Sequence, residues 1–460
     1  MGLLKKYSYQ LYFFGLILMA VALPLSKWLT GLSLFFIAGA WIVGGNFKEK
    51  LALFFANKIA LLWCSVFVMH LLGLLYTNDF HYASNDLRIK LILFILPFVM
   101  SSSKPLSASY FNILMHLFIA AVVTSSLVSI AVLLDFIHRP VADVRDISFL
   151  ISHIRLALLV CLAIFSLLHF LKNSASTTAL KITYAITLLW LIVFLFILES
   201  VTGIVVLLVV SALILVYQLF KNPNRKIKFV YASLLIALPI GLFLYLKKSY
   251  HNVTHVNAID LNHLDSLTSN RNKYIHVLQD KSVENGNYVG LYICNTEVDS
   301  VWNTRSKINI DSLDLRHQPV RYTLFRFLTS KGLRKDAAGI NALNEKEIAS
   351  IEHGITNVNY QSIVSLQARL QQIFWEINTY IVTGNPTGHS VTMRYEYWKT
   401  AAAIIKDNPI IGVGTGDVNN AFLTKYEEIK SPLSQQWRLR AHNQFLTIAV
   451  SFGIVGLLWF

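Results

Sequence analysis

Cysteine is nearly absent from this chain of 460 residues, and the three it has, Cys64, Cys161 and Cys294, lie far apart. Cys64 and Cys161 sit inside apolar runs, where a thiol behaves as a small hydrophobe. Cys294 is alone in the long polar segment, so an internal disulfide there is excluded, and no zinc-ligand spacing occurs. Charge is also scarce. Charged residues make up 14% of the chain against 55% hydrophobic ones, and the mean hydropathy is +0.53. A water-soluble globule of this length carries more charge and fewer apolar residues. The net charge of +15 does not indicate a nucleic-acid binder, because lysines and arginines punctuate apolar runs and form no single basic surface. The apolar excess needs a non-aqueous solvent, and a bilayer supplies one.

Strict alternation of apolar and polar residues, the mark of a membrane barrel, is missing too. Backbone groups in lipid must then be satisfied within helices. About ten apolar stretches are long enough to cross or nearly cross a hydrocarbon core of ~30 Å: near 10–25, 28–44, 58–76, 87–101, 110–136, 154–171, 180–199, 201–220, 229–246 and 443–460. Ala20-Val21-Ala22 loosely matches a signal-peptidase site, but the chain re-enters an apolar stretch directly after Pro24 and Lys27. The first segment therefore reads as a retained span. Lys5, Lys6, Lys48, Lys50, Lys58, Lys104, Lys172, Lys181, Lys221, Arg225, Lys226 and Lys228 fall in one set of loops. That set is expected on the cytoplasmic side, which places 247–441 outside. The expected organisation is a nine-span bundle over 1–246, a polar domain over 247–441 and a tenth span over 442–460.

Within the polar domain, 361–382 shows helical spacing through Ile363, Leu366, Leu370, Ile373 and Ile377, expected to pack on its own domain or the membrane. Arg316, Arg321, Arg326, Lys331, Arg334 and Lys335 form a basic run with two readings, a solvated face or a contact to lipid phosphates or acidic glycan. The densest polar signal lies further on. Arg394 and Trp398 are four apart and share a helical face. Pro409-Ile410-Ile411-Gly412-Val413-Gly414-Thr415-Gly416-Asp417 is either a turn or an anion cradle, and it lacks the strand–helix context of a dinucleotide site. Arg438-Leu439-Arg440-Ala441-His442-Asn443 then leads into the final apolar run. A helix N-terminus and a nearby Arg440 both disfavour a positive imidazole, so His442 tends towards its neutral form. It is either a capping residue or a base able to accept a proton from a hydroxyl group.

His442-Asn443, nine residues, then Gly453-Ile454-Val455-Gly456 resembles the signature of the O-antigen ligase superfamily. That superfamily includes O-antigen polymerases and bacterial protein O-oligosaccharyltransferases. Its Arg and Trp before Pro-x-x-Gly-x-Gly match Arg394, Trp398, Pro409, Gly412 and Gly414, and the order of spans, large loop and histidine helix agrees. The resemblance implies an all-α, GT-C-like membrane glycosyltransferase of the bacterial inner membrane. Such an enzyme moves a glycan from undecaprenyl diphosphate to an acceptor hydroxyl, for a ligase on lipid A-core, at the periplasmic face. His442 is the implied base and Arg394 the implied diphosphate ligand. Arg440 and Arg438 join them by proximity to His442. Arg88, with Lys90, and Arg155, with His153, stand at the outer ends of the fourth and sixth stretches as further cations for the diphosphate. No metal or cofactor is implied, the arginines serving as charge sink, and no Asp-x-Asp cluster lies near the site. Glu199 and Asp417 are weaker helpers. Family members usually continue through two more spans, so further spans are expected either to be missing after Phe460 or to have been lost from the chain. A polymerase or a protein glycosyltransferase fits the same residues. A transporter fits less well, because ionisable groups gather at the ends of the apolar stretches.

Overall fold

Long apolar runs bounded by lysine, asparagine or serine become helices whose first N–H groups are met by the polar residue before them. The computed structural model describes residues 7–139, 141, 143–172, 177–361 and 365–460. Lys5, Lys6 and Ile363 lie outside the described residues. Two compact units divide the chain, one built from residues up to Ala121 with Gly384–Phe460, the other from Val122–Thr383.

The first unit opens with α1 (Ser8–Leu25) and α2 (Lys27–Val43), joined at Ser26, whose hydroxyl accepts from Leu29 N. Gly15 allows the pair to close, since a Cβ there would lie 2.8 Å from Ile37 Cγ1. Next come α3 (Phe47–Ala56), α4 (Lys58–Leu72, continued by a 3-10 turn to Tyr76), α5 (Phe80–Lys90), α6 (Ile92–Ser101) and α7 (Ala108–Leu133). The single span expected over 87–101 is two elements. α5 ends at Lys90, and α6, ten residues long, is too short to cross a bilayer alone.

In the second unit, α8 (His153–Leu171), α9 (Thr178–Ile197), α10 (Val201–Lys221) and α11 (Arg225–Thr254) follow the expected stretches. Small residues bring α8 against α10: a Cβ on Gly203 would meet the Ala157 Cβ at 2.6 Å, and the Cys161 thiol donates to Gly203 O at 3.3 Å. Cys161 is thus a buried packing residue, and Cys64 and Cys294 are also buried and free. α11 exposes Phe229, Ile236 and Phe243 by more than 60% each. A surface this apolar is stable in lipid and not in water. Among the described residues seven helices are long and apolar enough to cross a membrane, or eight if α2 and α3, bent by 117°, count as one broken span. The protein is a helical, multi-pass membrane protein.

After α11, Asn285 and Gly286 (φ 47° and 88°) turn a small hairpin of β1 (Val283–Glu284) and β2 (Asn287–Tyr288), the left-handed pair that an Asn-Gly dipeptide favours. Helices α12 (Asn295–Arg305), α13 (Val320–Ser330), α14 (Ala337–Asn341) and α15 (Glu345–Glu352) enclose Trp302, Leu324, Phe327 and Ile351. Four members of the basic run are paired within this fold, and Arg316 has no ion pair among the described residues. Arg321 pairs with Asp299 and Asp311 at 2.7 and 2.8 Å, Arg326 with Glu284 at 2.6 Å, Lys331 with Glu347 at 2.8 Å, and Arg334 with Asp265. Lys335 is buried and donates to Leu291 O, and burial pushes its ammonium down to about 7. Arg321, Arg326, Lys331 and Arg334 are thus committed to carboxylates within the fold.

α16 (Leu366–Thr383) starts within the expected 361–382 stretch, yet its most buried residues are Arg369, Gln371, Trp375 and Glu376. Leu366, Leu370, Ile373 and Ile377 are only half-buried. The Arg326 guanidinium stacks 3.5 Å from the Trp375 ring centroid, so cation–π packing draws that face inward. The chain then returns to the first unit through α17 (Ser390–Asp407), α18 (Val418–Glu428) and α19 (Gln444–Trp459).

Candidate active site

α17 buries Met393, Tyr397, Ala401 and Ile404 against Val418, Phe422 and Tyr426 of α18 and against Ala441 and Val450. This fixes the helix and leaves Arg394 and Trp398, one turn apart, exposed beside that core. The Trp398 indole N–H donates to Ala441 O at 3.0 Å, and the Tyr426 hydroxyl donates to Leu439 O at 2.7 Å. Both hold the strand that delivers His442. His442 itself turns the chain in the left-handed region (φ 47°), and Asn443 then caps α19, its side chain accepting from Leu446 N at 3.3 Å. Asn443, not His442, is therefore the capping residue, which leaves the imidazole free of that duty.

The His442 ring lies 5.6 Å from the Tyr397 ring. Desolvation by the packing around the ring pushes its imidazole below the ordinary value, and the charges of Arg394 and Arg440 push it the same way. The Arg440 guanidinium sits 5.8 Å from the Tyr82 ring on α5, within electrostatic range of Lys90. Lys90 is bound to Asp86 at 2.5 Å. Tyr82, Asp86 and Lys90 recur every fourth residue along α5, a polar stripe that could have been read from the sequence as one face of a helix. Arg88 is exposed on the same helix. Arg438 is engaged elsewhere, pairing with Glu427 and donating to Leu433 O at 3.1 Å. Arg155 and Glu199 belong to the second unit: Arg155 is exposed in the first turn of α8, and the buried Glu199 accepts from Ser365 N. Arg440→Gln is expected to raise the His442 pKa towards the ordinary imidazole value near 6.5, since one of the cations that favour the neutral ring is gone. Ring-carbon NMR titration, with the His442 signal assigned by its loss in His442→Ala, measures the shift.

The glycine element settles on the turn reading. Residues 409–414 cross α19 where Gly453 leaves helical geometry (φ 60°, ψ −154°). Val413 N and Gly414 N donate to Val450 O and Ser451 O at 3.0 and 2.9 Å, and Ile454 N and Val455 N donate to Pro409 O and Ile410 O at 2.8 and 3.2 Å. The peptide groups freed by the break are thus paired with the crossing strand. Gly412 and Gly414 also adopt positive φ, and a Cβ on Gly412 would lie 2.4 Å from Phe452 N. The amides of Val413 and Gly414 serve α19 and not an anion. Gly456 is a contact of another kind, since a Cβ there would meet Phe452 Cβ at 2.2 Å. Beyond the crossing, Thr415 donates to His70 O at 2.7 Å, and Asp417 accepts from Asn78 N and Asp79 N at 2.8 and 2.9 Å. Asp417 thereby anchors the start of α5, the helix that carries Tyr82 and Lys90 to Arg440.

Residues 353–460, which include every feature of this crossing on the α17–α19 side, match the family model described as O-antigen ligase. This segment is similar to the O-antigen ligase family. Neither the curated proteins nor the solved structures compared with the chain contain a match to it. Within this O-antigen ligase-like segment, the motif residues divide by task. Gly412, Gly414, Gly453 and Gly456 permit close backbone approach, Trp398 and Asn443 place the histidine, and Arg394, Arg440 and His442 are exposed, the two cations acting on the ring.

Proposed function

We propose that this protein is a glycosyltransferase that moves a glycan from undecaprenyl diphosphate to an acceptor hydroxyl, that of lipid A-core for a ligase, at the periplasmic face of the bacterial inner membrane. The observation that carries the reading is His442, held out of the capping role and depressed in basicity beside Arg394 and Arg440. On this reading the N-terminus is cytoplasmic and the polar segment 247–441 periplasmic, following the lysine-rich loops. The GT-C-like count of ten membrane segments then includes the paired short helices α5 and α6 and the broken α19.

The chemistry follows from charge. A glycosyl diphosphate leaves as an anion, and guanidinium forks bind phosphate oxygens bidentately while staying ionised. Arg394 and Arg440 supply that charge beside His442. The neutral imidazole accepts the proton of the acceptor hydroxyl as its oxygen attacks the anomeric carbon. The bond from that carbon to the diphosphate oxygen breaks, its electron pair leaves with the diphosphate, and attack from the opposite side inverts the anomeric centre. No metal is needed in this scheme, since the arginines carry the stabilising charge.

Two experiments test it. Arg394→Lys keeps the charge and loses the fork, and is expected to lower transfer by about tenfold or more if the diphosphate is held bidentately. Full activity in membranes charged with lipid-linked glycan would count against that contact. A deletion strain separates the members of the superfamily. Loss of a ligase leaves carrier-linked polymer accumulated, loss of a polymerase leaves a single repeat on lipid A-core, and loss of a protein glycosyltransferase leaves an acceptor protein bare.

A further inference from the structure

The second unit holds a cavity of about 580 Å³ that the chemistry above does not use. One wall is the last turns of α11, with His251, Asn252 and His255. Opposite stand Gln367 and Gln371 of α16, and the Asn285-Gly286 hairpin tip and Asn359 close the rim. Among the described residues no Asp, Glu, Lys or Arg lines it, in a chain whose neighbouring core is dense with ion pairs. Neither aromatic rings of Phe, Tyr or Trp nor long aliphatic side chains line it, so it lacks the apolar walls of a typical site for a hydrophobic ligand.

Its polar groups are in part fixed. Asn285 is held by bonds from its amide to Ser330 O at 2.7 Å and to Asn357, and the Asn359 amide donates back to it. Gln371 is different: the residue is only 8% exposed, and it lines the cavity. An amide that opens onto a cavity is met there by water or by the polar groups of a ligand. Carboxamides present a donor and an acceptor together, which matches a sugar hydroxyl, also donor and acceptor. An anion would call instead for the guanidinium or ammonium groups that the cavity lacks.

We propose that this cavity binds an uncharged saccharide portion of the glycan, with Gln371 and Asn252 as its central contacts. The proposal rests on the glycosyltransferase reading for its biological sense but not for its test. The full chain in detergent micelles is applied to an array of neutral and acidic bacterial oligosaccharides, and the best neutral ligand is titrated by calorimetry. Saturable binding of neutral glycans is expected. It should weaken about tenfold or more in the pair Asn252→Leu and Gln371→Met, as two hydrogen-bonding side chains are replaced by apolar ones of similar volume. Asn252→Leu alone, an exposed change at a helix end, should weaken it in part and guards against misfolding of the pair. His442→Ala should bind unchanged. Absence of any neutral ligand, preference for acidic glycans, or binding indifferent to both variants overturns the proposal. Binding abolished by EDTA also overturns it, because a cation on His251 and His255, whose rings lie 5.2 Å apart, would then be the occupant. The two readings fail separately. Glycan binding that depends on Gln371 alongside full transfer in His442→Ala removes the catalytic role and leaves the cavity standing. The opposite pair of results removes only the cavity.

Discussion

His442→Ala is expected to abolish glycan transfer, with a loss of about 10²–10⁴-fold, the range that a positioned general base contributes. The protein should still insert in the membrane, because the ring is an exposed neighbour of Tyr397 and not part of the core around Phe422 and Tyr426. One backbone effect must be separated from the chemistry. His442 sits at φ 47°, a region that histidine and asparagine enter more readily than alanine. His442→Asn therefore keeps the turn and removes the base, and the same loss is expected. A lipopolysaccharide profile with normal laddering in cells carrying only His442→Asn would sink the assignment. Recovery in the asparagine variant would assign the alanine defect to the turn.

The second large effect is structural. Gly453→Ala is expected to reduce the folded yield severely, because φ 60° with ψ −154° is essentially a glycine conformation costing another residue about 1–3 kcal/mol. Space adds to this: the new Cβ would lie 2.3 Å from both Ile410 C and Ile410 O, so the strand must move and its bonds to Ile454 and Val455 must break. Gly39→Ala in α2 is the control, since nothing lies within 4 Å of a Cβ there and alanine favours helix. Detergent-extracted yield and thermal melting compare the two. Equal behaviour would show that the crossing of 409–414 with α19 tolerates displacement.

Much of this protein was legible along the chain. Hydropathy over about twenty residues is a local property, so α1, α4 and α7–α11 stand close to where apolar runs place them. The catalytic candidates were legible as well, since Arg394, Trp398, His442 and Asn443 lie in short motifs with fixed spacing. Local signals failed where an energetic balance between distant groups decides. The 87–101 run reads as one span, but α5 ends at Lys90, its first turn held by Asp417 from more than 300 residues away. The apolar stripe on α16 is readable along the chain, whereas the burial of its Trp375 face depends on Arg326 from another helix. The basic run of 316–335 reads as free charge because its partners, Glu284, Asp265 and Asp299, come from elsewhere in the chain.

At the junction of loop and final helix the division is clearest. The sequence by itself determined that a polar segment hands over to an apolar one at His442-Asn443, and that cations lie close by. Only the tertiary structure decided which arginines remain available, Arg394 and Arg440 beside the ring and Arg438 taken by Glu427. It alone assigned the glycines to a backbone crossing, in which the amides of Val413 and Gly414 are committed to α19. The reason is that residue type sets what a group can do, whereas its partners, brought from some forty residues away across that crossing, set what it is free to do.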